Sequence, residues 1–399
     1  MNTLSSRTTG TSTILICMLA NNATLGLAYG SFGALLIANE QAFGATRETI
    51  SFGMSALAAT LGLTALFMGD LVRRMTPRTA IAIGLASAAC AFVGLGLTNS
   101  LGVALALWAL LGFGTALAAI LGPVEIAAEF YPARAGKMLG LINLPVILFV
   151  GPWAVTEALL VLGRQGAYLA MAVLMLPIIG LALKLPVNGN RGGARAAAHS
   201  STPAGAIFGR VDFWLITLGI AIIAGTGTAY VAHAIPFAQS RGLGVSTSAL
   251  MMSVYSGAGL LGVPLFGWLA DQIGAPRALA LTAAVQCLCW GGLAMAPIDS
   301  FLFLSAALGA ATTPLTTLHG AAMAQLFGTR GVGKAMGYSY AIKLPFLFSA
   351  SPAVGYAYVQ MADYRQAFLV VAACLFGAVA LLLAGSIARG LNAAKIVPA

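Results

Sequence analysis

Few residues in this chain have types that could do chemistry, and the most conspicuous is a cation inside an apolar run. The stretch Tyr338-Ser339-Tyr340-Ala341-Ile342-Lys343-Leu344-Pro345-Phe346 places Lys343 nine residues beyond Lys334. At 1.5 Å per residue that is roughly 14 Å along a helix, near the middle of a hydrocarbon core about 30 Å thick. A charge there costs about 2.5–3.5 kcal/mol even on the gentler insertion scale. Snorkelling serves lysines near helix ends, and here the interface is far. Lys343 is therefore expected to face a protein-lined, water-filled cavity and attract an anion. The alternative is a salt bridge that only packs helices. It lacks a partner, since Glu125 is the one acid well inside an apolar segment and lies near that segment's end.

Other polar residues at mid-depth are expected to support the lysine. Tyr29, Asn143, Tyr255 and His319 are candidates to hydrogen-bond a ligand; the alternatives are an interhelical hydrogen bond for each tyrosine, packing with a satisfied ring nitrogen for His319, and a simple kink without ligand contact for Asn143. Asn22 lies seven residues before Tyr29, on a similar face. Asn143-Leu144-Pro145 and Lys343-Leu344-Pro345 both place a polar residue two before a proline, and proline removes a helix hydrogen bond. Both are expected bend points. Glu125 and His319 are the groups that could carry a proton. The five cysteines (Cys17, Cys90, Cys287, Cys289 and Cys374) fall in apolar runs without metal or disulfide spacing. No nucleophile–base pair, metal cluster or phosphate loop is present, so neither an enzyme nor a cofactor is expected.

The elements that must position these residues follow from composition. Of 399 residues, 60% are hydrophobic and 8% charged; a soluble domain carries about 25% charged. Only a bilayer as solvent tolerates that deficit. Apolar runs of spanning length occur at 13–38, 47–69, 78–98, 101–128, 138–160, 166–184, 211–238, 246–267, 277–297, 300–327, 335–359 and 366–388. The first run is too long for a signal-peptide core and lacks a small-x-small cleavage site, so it reads as a retained span. A basic Gly/Ala/Ser-rich stretch at 185–209 reads as a linker between halves at 1–184 and 210–399. Of the 20 Lys and Arg residues, four (Arg47, Arg164, Arg241 and Arg365) fall on one side, Lys343 lies in the core, and the other 15 fall opposite. That bias predicts both termini in the cytoplasm of a cell (inner) membrane protein. It also accounts for the net charge of +10 without nucleic acid.

The two halves repeat. Gly26–Phe32 (GLAYGSF) resembles Gly227–His233 (GTAYVAH), and Ala133–Gly140 (ARAGKMLG) resembles Arg330–Gly337 (RGVGKAMG). Pro145 aligns with Pro345, Pro152 with Pro352, and Arg164-Gln165 with Arg365-Gln366. The expected fold is all-α, with twelve transmembrane helices in two six-helix pseudo-symmetric halves around a central site.

In GWLADQIGAPR, Gly267, Asp271, Gly274 and Arg277 stand at the spacing G-x3-D-x2-G-x2-R. This resembles the cytoplasmic hairpin signature of the major facilitator superfamily. The first-half counterpart, GDLVRRMTPR, is degenerate: Arg73 stands where Asp is expected, and Asp70 has moved next to Gly69. Phe43–Ser51, the stretches after the fourth and tenth spans, and Tyr364–Phe368 look like the monocarboxylate-porter and oxalate–formate-antiporter branch. In that branch a lysine of the eleventh helix faces the substrate carboxylate, and Lys343 matches it in helix and depth. The branch often adds an arginine in the eighth helix, which is absent here, so the resemblance implies one carboxylate.

The expectation is a secondary transporter moving a small organic anion, a monocarboxylate, by alternating access. It works by proton symport or anion exchange, acts as a monomer in the lipid bilayer, and uses no metal or cofactor. Gly267, Asp271, Gly274, Arg277, Asp70 and Arg73 form the gating motif of the cytoplasmic side. The rival readings are an efflux pump for drugs or lipophilic compounds and, from another class, a non-transporting membrane sensor or enzyme.

Overall fold

The computed structural model describes the backbone of residues 2–67, 71, 74–130, 135–185 and 203–394, and their side chains apart from 2–11, 65–66, 128–130, 135–137, 329–330 and 391–394. Among these residues there are helices and turns but no strands. Residues 2–43 form α1, interrupted by a π turn at Asn22–Gly26. It is followed by α2 (Arg47–Leu66), α3 (Pro77–Leu97) and α4 (residues 101–130), itself interrupted by a π turn at Ala116–Leu121. Next come a short helix Ala135–Ile142, α5 (146–162) and α6 (164–182), the last two meeting at Gly163 with φ 68°.

Beyond a short helix Ala204–Phe208 lie α7 (Val211–Ser240), α8 (Val245–Ile273) and α9 (Ala275–Met295). They are followed by α10 (301–312 and 315–327), α11 (329–361) and α12 (Arg365–Ala394). Gly328, at φ 63°, separates α10 from α11. Nine segments of the described residues are long and apolar enough to cross a membrane, one of them, Met138–Ala182, holding both α5 and α6. The twelve helices match the twelve apolar runs of the sequence.

The helices collect into two compact units, Met1–His199 and Ser200–Ala399. In each, glycines let helix backbones approach closely. In lipid no hydrophobic force drives helices together, so close backbone approach does the work. A methyl on Gly112 of α4 would strike the Leu57 carbonyl of α2, and one on Gly309 of α10 would strike the Tyr255 carbonyl of α8. The two contacts are counterparts in the repeat. Gly262 against Ala310 and Gly84 against Gly114 extend the same device.

The two proline sites of the repeat behave differently. At Asn143-Leu144-Pro145 the helix is broken, with Pro145 at φ −83°, ψ 55° and Val146 N–H donating to Leu144 O at 2.9 Å. That is an inverse γ-turn. At Lys343-Leu344-Pro345 the helix is not broken, and helical dihedrals continue through Pro345. The physical reason for the first break is visible in its partners: Asn22 and Asn21 take up polar groups at the turn, as described below. At Pro345 the lost N–H leaves the helix intact.

Candidate functional site

In the second unit the candidate residues Lys343 and His319 lie on α11 and α10. Lys343 is 7% exposed, and its Nζ sits 3.7 Å from the centroid of the Tyr340 ring. Three residues apart on one helix, the two share a face. No carboxylate among the described residues forms an ion pair with Lys343. His319 is 0% exposed, and its ring lies 5.2 Å from that of Tyr340. His319 Nε2 and Ser339 Oγ are hydrogen-bonded at 2.8 Å, while Nδ1 is buried without a hydrogen-bond partner. Tyr340 is thus the hinge of a cluster with Lys343 over its ring and His319 beside it. Tyr340 and Ser339 were not singled out from sequence. Their i−3 and i−4 spacing to Lys343 was the available signal.

Tyr255 does not join this cluster through any contact described here. It stacks on Tyr230 at 4.6 Å, and the edge of Trp290 closes on Tyr230 at 5.6 Å. Tyr230 donates to Ser305 Oγ at 2.7 Å. Four helices are joined by these rings.

In the first unit Tyr29 is half-buried in α1, and Glu125 is buried in α4 just after its π turn. Asn143 is exposed at the break; its Oδ1 accepts from Asn21 Nδ2 at 3.0 Å and its Nδ2 donates to Leu139 O at 2.8 Å.

The hairpin between α8 and α9 turns at Gly274, φ 86°, a conformation that side chains resist. Gly267 lies inside α8, where an added methyl would meet nothing within 4 Å. Asp271 and Arg277 are both exposed. The turn is held instead by Gln325 of α10, whose Oε1 accepts from Ala275 N at 3.2 Å and from Arg389 Nη1 at 2.8 Å. Neither Gln325 nor Arg389 was expected there. Asp70 and Arg73 lie outside the described residues.

Among the described residues there are membrane-length apolar helices and a buried cation, Lys343, with no carboxylate paired to it. The profile of the Major Facilitator Superfamily matches residues 16–300 and 219–389, and the chain belongs to that superfamily. No curated protein matches it in sequence. Among solved structures it is similar to the nucleoside transporter NupG, with a TM-score of 0.76 at 11% identity over 94% of this chain and 99% of that one. The xylose transporter XylE from E. coli, in a partially occluded inward-open conformation, gives 0.74 at 12% identity over 94% and 97%. The peptide transporter POT gives 0.76 at 12% over 95% and 94%. At such identities the likeness is one of fold. The chain is a multi-pass membrane protein and a secondary transporter.

Proposed function

We propose that this transporter moves a small organic anion, most simply a monocarboxylate, by alternating access. The observation that carries the reading is Lys343: a buried ammonium with an aromatic face for company and no carboxylate paired to it among the described residues. A carboxylate substrate supplies the missing counter-charge. An intramembrane ionisable residue is a functional site by default. A single cation suits a single carboxylate. The unpartnered His319 Nδ1 offers a hydrogen bond beside it, and Tyr29, Asn143 and Tyr255 are further contacts in this proposal. Anion exchange needs no other titrating group. Proton symport would use His319 or Glu125. The protein lies in the inner membrane as a monomer with both termini cytoplasmic, and Asp271 and Arg277 stabilise one end state. Asp70 and Arg73 belong to the same proposed gate.

A second reading, lipophile efflux, draws on a different feature of the second unit. A cavity of about 910 Å³ opens among α7, α11 and α12, lined by small apolar residues including Gly225, Ala353, Val354 and Val371.

Uptake of radiolabelled short carboxylates into proteoliposomes separates the two. Charged hydrogen bonds contribute about 1.5–3 kcal/mol, so Lys343→Ala is expected to lower saturable uptake roughly ten- to a hundredfold. An imposed pH gradient that drives accumulation identifies symport; dependence on internal anion identifies exchange. Uptake unaltered in Lys343→Ala would return the lysine to a packing role and favour lipophile efflux.

A further inference from the structure

Three irregularities of the first unit are stitched together by two adjacent side chains. Asn21 and Asn22 stand where α1 enters its π turn, and both are buried. Asn21 Nδ2 donates to Ala119 O, inside the π turn of α4, and to Asn143 Oδ1, at the break before α5, each at 3.0 Å. Asn22 Oδ1 accepts from Ile147 N at 3.0 Å, capping the first turn of α5. Its Nδ2 donates to Met18 O at 3.0 Å, and Thr24 Oγ1 donates to Ala20 O at 2.8 Å.

Apart from the Asn21–Asn143 amide pair, each of these bonds satisfies a backbone group. A π turn or a proline break withdraws i→i−4 bonds, and in a membrane no water is at hand to replace them. An orphaned group costs several kcal/mol in lipid. The chain could have avoided the cost with three straight helices. It has kept three interruptions at one place and wired them to each other, so no one of them can change its backbone without stretching a bond to another. Gly26 tightens the link, since a Cβ there would come within 2.9 Å of Ile147 Cβ.

We propose that the π turn of α1, the π turn of α4 and the break before α5 are one hinge, and that Asn21 and Asn22 are the positioning residues that make them bend together. Bending is needed wherever a bundle must open and close, and interrupted helices are where it is least costly. Coupling by amides lets three elements flex as a set while keeping every backbone group bonded. This inference does not depend on what the substrate is.

Amide hydrogen exchange of the full-length protein in nanodiscs tests it without a ligand. Losing a bond of about 1 kcal/mol that holds a segment closed corresponds to about fivefold more frequent opening, and so about fivefold faster exchange at the amides of that segment. Asn21→Leu is expected to raise exchange about fivefold at both 116–122 and 139–147, on two helices it does not belong to, while α3 stays as in the parent. Asn22→Leu raises exchange at 146–149, whereas Asn22→Asp retains the acceptor for Ile147 N–H and leaves that segment protected. A rise confined to α1 in Asn21→Leu would overturn the coupling. An even rise across the whole first unit, α3 included, would equally overturn it, as would loss of protection at 146–149 in Asn22→Asp.

Discussion

Tyr340 holds Lys343 without neutralising it. The ring face attracts the ammonium, at 3.7 Å from centroid to Nζ, through its quadrupole alone, which leaves the charge uncancelled. A carboxylate in the same place would have cancelled it. Tyr340→Phe keeps the ring face and is expected to leave the concentration for half-maximal uptake within about twofold. Tyr340→Leu removes it, and with a cation–π contact of about 0.5–2 kcal/mol the concentration should shift by roughly two- to thirtyfold. Concentration-dependent uptake in proteoliposomes measures both. Equal loss in the two variants would assign the effect to the hydroxyl and remove the ring from the argument.

Helix pairs in each unit are fitted backbone to side-chain-free backbone, and the fit leaves no room. Gly309 faces the Tyr255 carbonyl, so Gly309→Val forces α8 and α10 apart. Overpacking of this kind costs about 1–3 kcal/mol. It should also disturb the Tyr230–Tyr255 stack, which relies on the same helix spacing. Gly267→Ala, where nothing lies within reach of a methyl, serves as the comparison and is expected to change stability by less than about 0.5 kcal/mol. Thermal unfolding in detergent reports the difference. The hairpin after α8 is held by a related economy: Gly274 supplies the turn and Gln325 ties its first N–H to α10.

Across the whole molecule the chain consists of two compact units, each with its own packed interior. The basic stretch at 185–209 is read as their connection and lies in the cytoplasm in the proposed orientation. A protease site introduced between residues 190 and 200 is expected to be cut from the cytoplasmic face only. The two fragments should retain the helical circular dichroism of the parent, because each unit holds its own contacts. Cutting in right-side-out vesicles would reverse the assigned orientation. Loss of helicity on cutting would show that the units are not independently packed.

The low charge content and the length of the apolar runs determined the class of protein and the twelve helices, because a bilayer admits little else. The repeat and the basic bias lay in linear order, where sequence reasoning works. The lysine was legible for the same reason: its cost depends on depth, and depth is counted in residues. Tertiary structure alone decided the rest. Pro145 breaks its helix and Pro345 does not, although the two stand at equivalent places in the repeat. At the first break, Asn22, more than 120 residues away in sequence, accepts from the Ile147 N–H, and Asn21 bonds the Asn143 side chain. Tyr340 under Lys343, Ser339 on His319 and Gln325 at the hairpin are likewise contacts of position. Short-range spacing hinted at the first, but His319 meets Ser339 only because α10 and α11 are folded side by side. A side chain's type is written in the sequence; whether it has a partner is settled where helices cross.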